Sequence, residues 1–153
     1  MLYNFIGTTK NDVLKEFMLW NTNIYPTHKL LCRVTSDVMG YASVNMPLFN
    51  PVRKSGYHMQ EDKADAALEL AFTIADGLEY LRTVIEVANL KVYNISPRLL
   101  FFWGIKMNFY INIAKMRAGR RMWEKIMKER YRPQNSKSLL LRAHCQTSGY
   151  YLT

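Results

Sequence analysis

Two short, mainly apolar runs, residues 98–103 and 138–143, constrain the fold of this chain most, because neither alternates apolar with polar side chains. A run of that kind and length is typical of a strand buried on both faces. A helical stretch precedes each run: residues 62–88 repeat apolar side chains at spacings of three and four, and residues 108–130 form a basic stretch closed by Pro133. Buried strands separated by helices predict an α/β fold with parallel strands and crossover helices.

Weaker signals complete the outline of elements. A short helix is expected at residues 11–18, and a second helix at residues 29–44. Gly77 lies within the long helical pattern and weakens the prediction of one continuous rod. Residues 94–97 are expected to break the chain before the first buried strand.

The predicted topology also indicates where a ligand would bind. In parallel α/β sheets, ligand-binding residues collect at the carboxyl ends of the strands. Three segments are expected there: residues 56–58 before the long helix, residues 103–104 at the end of one strand, and residues 144–146 after the last strand. These segments are therefore the first candidates for a functional site.

The charge of the chain is strongly positive. Among 153 residues, 21 Lys plus Arg stand against 12 Asp plus Glu, a formal net charge of +9, and much of the excess lies between Lys115 and Arg142. Such an excess favours anionic partners such as nucleic acid, lipid headgroups or phosphate-bearing cofactors. A charge run is more often the solvated face of one helix. We therefore expect neither a nucleic-acid nor a membrane partner.

The spacing of the cysteines and the lack of a recognisable targeting signal predict an intracellular protein. Cys32 and Cys145 lack the paired spacing of a disulfide framework or zinc site, which favours a reducing compartment. The first residues resemble neither a secretory signal nor an Arg-rich transit peptide. Residues 99–114, the most apolar stretch, are too short and too polar for a membrane span. The sequence predicts a soluble protein.

Little catalytic chemistry can be identified from spacing alone. His28, His58 and His144 form no metal-ligand pattern, and the chain contains no Walker loop, GxGxxG or GxSxG motif. No metal site is expected. The pair Tyr57–His58 could place a proton donor beside an apolar shield, although a lone histidine is more often a satisfied hydrogen-bonding residue.

Longer strings along the chain carry a family resemblance. The strings are NDVLKEF (11–17), SGYHMQE (55–61), ADGLEY (75–80), FFWGI (101–105), AKMRAGRR (114–121) and LRAHCQTSG (141–149). Their order and spacing resemble those of the methylmalonyl-CoA mutase family of adenosylcobalamin-dependent acyl-CoA mutases. The resemblance covers nearly the whole chain, from Gly7 to Thr153.

The resemblance implies a (β/α)8 TIM-type barrel that encloses an acyl-CoA, with adenosylcobalamin held by a separate domain. By matching motif, His58 would hydrogen-bond the migrating thioester carbonyl and Tyr57 would pack beside it. Arg98 would bind the phosphates of CoA, and His144 and Gln146 would face the corrin ring. The cofactor would supply the radical chemistry, while the protein positions and shields the reacting groups.

Several residues depart from the family pattern. The family has Gln at the position of Lys10, a basic residue at that of Leu48, and Arg at that of Trp20, where the Arg pairs with the free carboxylate of methylmalonyl-CoA. Losing such a desolvated charged hydrogen bond typically costs about 2–5 kcal/mol. A changed acyl substrate and a loss of activity both fit these changes. Further departures are Arg53, Lys54, Leu100, Lys106 and Tyr150.

Length sets the last expectation. A (β/α)8 barrel typically needs about 250 residues, so residues 1–153 would form only part of the acyl-CoA-binding barrel, and the cobalamin-binding domain would be absent. We expect a mutase-like isomerase segment that is inactive alone, or alternatively a non-catalytic CoA-binding remnant. Its partners would be an acyl-CoA and the missing mutase segments or a cobalamin-binding subunit. The compartment would be the mitochondrial matrix in an animal, and otherwise the cytoplasm.

Overall fold

The computed structural model describes residues 2–19 and 28–149. Helices and strands alternate along most of this range, as predicted. Three short 3₁₀ turns also occur, at Leu2–Asn4, Ser96–Arg98 and Ser136–Leu139. The elements are β1 (Gly7–Thr8), α1 (Val13–Leu19), α2 (His28–Asn45), β2 (Phe49–Asn50), β3 (Arg53–Ser55), α3 (Gly56–Glu61), α4 (Ala66–Ala88), α5 (Val92–Ile95), β4 (Leu100–Ile105), α6 (Phe109–Arg130) and β5 (Arg142–Thr147).

The predicted parallel sheet is confirmed. Strands β3, β4 and β5 form a three-stranded sheet in that order, and each neighbouring pair is parallel. The register aligns Ser55 with Phe102 and Phe102 with His144. A second, minimal sheet pairs β1 with β2, also in parallel. The described residues thus show an α/β arrangement of parallel strands and helices.

One face of the three-stranded sheet is covered by helices, and we call it the covered face. Phe101 and Trp103 lie in the core on this face, where the Phe101 ring packs edge-on against Trp123 of α6 at 5.0 Å between centroids. Both tryptophans are fully buried. Because side chains alternate along a strand, Phe102 and His144 belong to the opposite face, which we call the inner face.

Two glycines let α4 and α6 approach the covered face. A Cβ atom at Gly77 of α4 would lie 2.9 Å from Phe101 Cζ, and one at Gly119 of α6 would lie 2.7 Å from Trp103 Cη2. The predicted end of the long helix near Ala88 is confirmed, and Gly77 does not interrupt it, because α4 runs unbroken from Ala66 to Ala88. Position 77 favours glycine because the Phe101 ring occupies the space that a side chain there would need.

Helix boundaries follow local capping chemistry. The basic helix begins after Asn108, whose side chain accepts a hydrogen bond from Ile111 N, close to the predicted boundary. The long helix does not begin at residue 62. Asp65 caps α4 by accepting from Leu68 N, and Lys63, at a φ of 71°, turns the chain between α3 and α4.

Both predicted buried strands lie too early in the chain. The 3₁₀ turn at Ser96–Arg98 delays the first, so β4 starts at Leu100. The second prediction is wrong by four residues: residues 136–139 form a 3₁₀ turn, and β5 runs from Arg142 to Thr147. The apolar residues Leu139 and Leu141 pack against the core as the chain enters the sheet, and the paired segment itself is largely exposed.

Candidate functional site

The ring of Phe102 organises the inner face of the sheet. Tyr57, from the first turn of α3, stacks on it at 4.9 Å with an interplanar angle of 17°. His144 of β5 lies 5.2 Å away, and His58 lies 6.3 Å away in an edge-on arrangement. The guanidinium carbon of Arg53 lies 4.0 Å from the ring centroid. One phenylalanine therefore brings side chains from β3, α3 and β5 together.

His58 has a defined hydrogen-bonding environment. Its Nδ1 atom lies 2.6 Å from Ser55 Oγ. Burial lowers the pKa of His58, and the positive charge of Lys15 lowers it further. The neutral imidazole is therefore favoured near neutral pH. A cleft of about 270 Å³ lined by Leu19, His58, Glu61 and Asp62 lies beside the imidazole.

The chain after β5 is tied back to α3. The Tyr57 hydroxyl oxygen accepts hydrogen bonds from Gln146 Nε2 at 3.5 Å and from Gly149 N at 3.4 Å. Glu61 accepts from Ser148 Oγ at 2.5 Å and from Gly149 N at 3.1 Å. These contacts hold the end of β5 against the helix that carries Tyr57.

A buried ion pair fixes the end of β4. Glu69 of α4 accepts from Gly104 N at 2.8 Å, and Lys115 of α6 donates to Glu69 Oε2 and to Gly104 O, both at 2.6 Å. Burial raises the pKa of Glu69, while the hydrogen bond from Lys115 opposes that change. Lys115 is therefore a structural cation, unlike the exposed cations that follow it in α6.

Four of the five predicted site residues are brought together. Tyr57, His58, His144 and Gln146 share the inner face, and both His144 and Gln146 are exposed. The expectation that His144 and Gln146 follow the last strand is wrong, because both lie within β5. They still lie near the carboxyl end of the sheet because β5 extends to Thr147.

Arg98 lies apart from this cluster. It ends the 3₁₀ turn two residues before β4, at the amino end of the parallel sheet. Its Nη1 donates to Ala42 O at 2.8 Å and to Met46 O at 3.4 Å, and its Nη2 donates to Ser43 O at 3.5 Å. The guanidinium thus donates to carbonyl groups where α2 ends, in addition to the backbone hydrogen bonds that Ala42 O and Met46 O already accept.

Sequence reasoning missed Phe102, Ser55 and Glu61 as parts of this site. Phe102 stands in a run without polar alternation, so its face could not be assigned from the pattern. Ser55 and Glu61 flank the pair Tyr57–His58 at helical spacing, and that spacing was the available signal. The described residues contain no group of three His, Cys, Asp or Glu side chains placed to hold a metal ion.

The departures from the family pattern occupy different environments. Arg53 lies on the inner face, Lys54 is fully buried on the covered face, and Lys106 donates to Ala64 O at 2.9 Å. Lys10 and Leu48 are exposed. Trp20 and Tyr150 lie outside the described residues. None of the helices in the described part of the chain has the length and apolar character needed to cross a bilayer.

Comparison with known proteins decides the family. The sequence profile described as "Methylmalonyl-CoA mutase" matches residues 2–153. The chain belongs to the methylmalonyl-CoA mutase family. It is 58% identical over 147 residues to the mitochondrial methylmalonyl-CoA mutase of Mus musculus, covering 96% of this chain and 19% of the mouse protein.

More distant members of the methylmalonyl-CoA mutase family match over the same extent. A probable mitochondrial methylmalonyl-CoA mutase of Caenorhabditis elegans is 55% identical, with 96% of this chain and 20% of the relative covered. A probable methylmalonyl-CoA mutase large subunit of Mycobacterium bovis is 51% identical, with 96% and 19% covered. The chain thus spans about a fifth of the length of the relatives it matches.

Proposed function

We propose that this chain forms part of the acyl-CoA-binding barrel of a mutase that rearranges the carbon skeleton of an acyl thioester. The main support for the proposal is that Tyr57, His58, His144 and Gln146 lie together at the inner face of the parallel sheet. The family resemblance assigned roles to these four residues separately, and the fold brings them to one place.

In this proposal, His58 binds the substrate carbonyl. Tyr57, stacked on Phe102, supplies an apolar wall, which limits the access of water and side reactions. A hydrogen bond from a neutral imidazole stabilises negative charge on the thioester oxygen as the acyl group rearranges. The lowered pKa of His58 agrees with this role, because the imidazole can donate without carrying a charge.

A phosphate-binding role for Arg98 stays a prediction with a competing structural role. Its guanidinium already contacts two carbonyl groups of α2 and the carbonyl of Met46, which follows the helix. An Arg98→Met variant is therefore expected to destabilise the fold as well as change CoA affinity. A thermal denaturation curve measured alongside the affinity separates the two effects.

We propose that the cofactor is adenosylcobalamin, contacted by His144 and Gln146. Their exposure on the inner face fits contact with a flat macrocycle. We do not assign cobalt ligation to either residue, because the resemblance gives that role to an Asp-x-His-x-x-Gly signature that this sequence does not contain. When bound, the cofactor would supply the radical chemistry.

The remaining barrel strands would come from other mutase segments. Strand β5 forms one edge of the described sheet, and an edge strand presents unpaired backbone groups that can pair with a further strand. We therefore propose that the partners are the rest of the mutase or a cobalamin-binding subunit. The mouse and C. elegans relatives are named as mitochondrial. We propose the mitochondrial matrix in an animal, and otherwise the cytoplasm.

The acyl group is proposed to differ from methylmalonyl. The resemblance places an Arg for the substrate carboxylate where this chain has Trp20, and neither Lys10 nor Leu48 matches the family. We therefore expect weaker binding of dicarboxylic acyl-CoA esters, and a smaller effect on uncharged acyl-CoA esters such as butyryl-CoA.

A chimera tests the proposal. Residues 7–149 of this chain replace the matched segment of the mouse mutase, and calorimetry measures the binding of butyryl-CoA and methylmalonyl-CoA. We expect butyryl-CoA to bind and a His58→Gln variant of the chimera to bind it more weakly. The unaltered mouse enzyme is the control for folding. A folded chimera that binds neither ester would contradict the proposal.

The alternative is a non-catalytic remnant that still binds CoA. The departures from the family at Lys10, Trp20 and Leu48 favour it, because they affect several substrate contacts at once. Under this alternative, the chimera binds CoA esters but shows no isomerase turnover with either ester. Turnover with either ester would exclude the remnant.

A further inference from the structure

Ser55 occupies the N-cap position of α3 without capping the helix. A serine at this position usually accepts a hydrogen bond from a backbone N–H of the first turn. Ser55 makes no such side-chain bond, and its Oγ atom instead lies 2.6 Å from Nδ1 of His58, three residues later. Its side chain therefore hydrogen-bonds the imidazole of His58 rather than a backbone N–H at the helix terminus.

The buried hydroxyl determines which ring nitrogen carries the proton. Ser55 is buried, and among the described residues His58 Nδ1 is the hydrogen-bond partner of its hydroxyl. If Nδ1 were protonated, it would donate to Oγ and leave the buried hydroxyl proton without an acceptor, which is unfavourable. If Nδ1 accepts, the hydroxyl is satisfied, and the neutral imidazole carries its proton on Nε2.

The position of Ser55 is itself fixed. Its backbone N–H donates to Asp12 Oδ2 at 2.7 Å, and the buried Asp12 also accepts from the Tyr80 hydroxyl at 3.2 Å. The imidazole packs edge-on against Tyr57, with 5.6 Å between centroids and an interplanar angle of 89°. The hydroxyl and the ring therefore keep their relative orientation.

We propose that Ser55 is a positioning residue that holds His58 in the tautomer with the proton on Nε2. In that tautomer Nε2 is a hydrogen-bond donor, which suits the carbonyl oxygen of a thioester and does not suit the removal of a proton from carbon. The identity of that acceptor rests on the proposed function, whereas the tautomer does not.

The tautomer can be measured in this chain without any ligand. Histidine side chains labelled with ¹⁵N give separate Nδ1 and Nε2 resonances in long-range proton–nitrogen NMR spectra. A His58→Gln variant assigns the His58 signals by their loss. At a pH where His58 is neutral, we expect one tautomer in the unaltered chain, with Nδ1 unprotonated and Nε2 protonated.

Three serine variants test the role of the hydroxyl. Ser55→Ala is expected to reduce the ratio of the two tautomers at least tenfold, and Ser55→Thr, which keeps the hydroxyl, is expected to restore it. Ser96→Ala is the matched control, because Ser96 is also a buried serine whose hydroxyl donates, here to Ser138 O at 2.7 Å. The control should leave the His58 signals unchanged.

Each outcome decides the proposal. Protonated Nδ1 in the unaltered chain overturns it, and so does an unchanged tautomer ratio in Ser55→Ala. If that variant does not fold, Ser55→Cys takes its place, since a thiol is a weak donor and should weaken the preference. If this chain shows the expected tautomer but the chimera binds no acyl-CoA, the inference about Ser55 still holds. Only the proposed function is then contradicted.

Discussion

Replacing Lys54 by methionine is expected to stabilise the fold, because Lys54 places an amine on the covered face of the sheet. The side chain is fully buried, and its Nζ atom has no hydrogen-bond partner among the described residues. It lies 3.0 Å from the centroid of the Tyr80 ring, so cation–π attraction offsets part of the cost of burial. Methionine keeps the length of the side chain and removes the charge.

The magnitude follows from the pKa of Lys54. Burial lowers it from 10.5 to about 7, against the opposing charges of Asp12 and Asp76. Since one pKa unit corresponds to about 1.4 kcal/mol, the charged form costs the folded state up to about 5 kcal/mol at pH below 7. Asp76 does not turn this cost into a net stabilisation at pH 6. Burial raises the pKa of Asp76 to about 7, so its carboxyl group is largely protonated at that pH.

The pH dependence gives the sharpest test. Between about pH 7 and 10.5, the unfolded chain binds more protons at Lys54 than the folded chain does, so the stability contributed by this group rises with pH. The difference in unfolding free energy between Lys54→Met and the unaltered chain should therefore be largest near pH 6. It should shrink steadily as the pH rises towards 10.5.

Urea unfolding monitored by tryptophan fluorescence measures this difference, because Trp103 and Trp123 are fully buried. Lys125→Met is the matched control: the Lys125 side chain is 73% exposed, and substitutions at such surface sites usually change stability by less than about 0.5 kcal/mol. A Lys54→Met variant that is no more stable than the unaltered chain at pH 6 would refute the reasoning. A stabilisation that does not change with pH would refute it equally.

Two further substitutions test the packing around β4. Glu69→Gln should destabilise the fold by about 3–5 kcal/mol, because it leaves Lys115 buried without its counter-ion. Glu124→Gln, which removes one partner of an exposed ion pair, is the control. Equal urea midpoints for Glu69→Gln and the unaltered chain would contradict the expectation. Gly119→Ala should cost about 1–3 kcal/mol by pressing a methyl group against Trp103. A calorimetric melting temperature at or above that of the unaltered chain would show that the helix can move aside.

Local signals in the sequence were sufficient for some elements. The basic helix was predicted at residues 108–130 and found at Phe109–Arg130, because its start depends on the side chain of Asn108 and its end on a following proline. The parallel pairing of the strands also followed from the order of elements. The helix boundaries depend on nearby residues, whereas the parallel pairing follows from the alternation of strands and helices along the chain.

Features set by tertiary contacts could not be predicted in the same way. Gly77 was interpreted as a weak point of α4, although Phe101 occupies the space beside it. The position of β5 was misjudged because apolar residues before the strand pack into the core, while His144 and Gln146 within it stay exposed. The gathering of site residues around Phe102 depends on which face each strand residue occupies, and an apolar run does not reveal it.

Hydrogen–deuterium exchange tests the central claim, that the inner face of the sheet binds the acyl-CoA, most directly. Exchange is measured in the chimera with and without butyryl-CoA. We predict slower exchange in α3 (Gly56–Glu61) and β5 (Arg142–Thr147), whose residues line the inner face, and no change in the exposed turns of the basic helix α6. Slower exchange confined to α6, or no change in α3 and β5 at saturating butyryl-CoA, would contradict the claim.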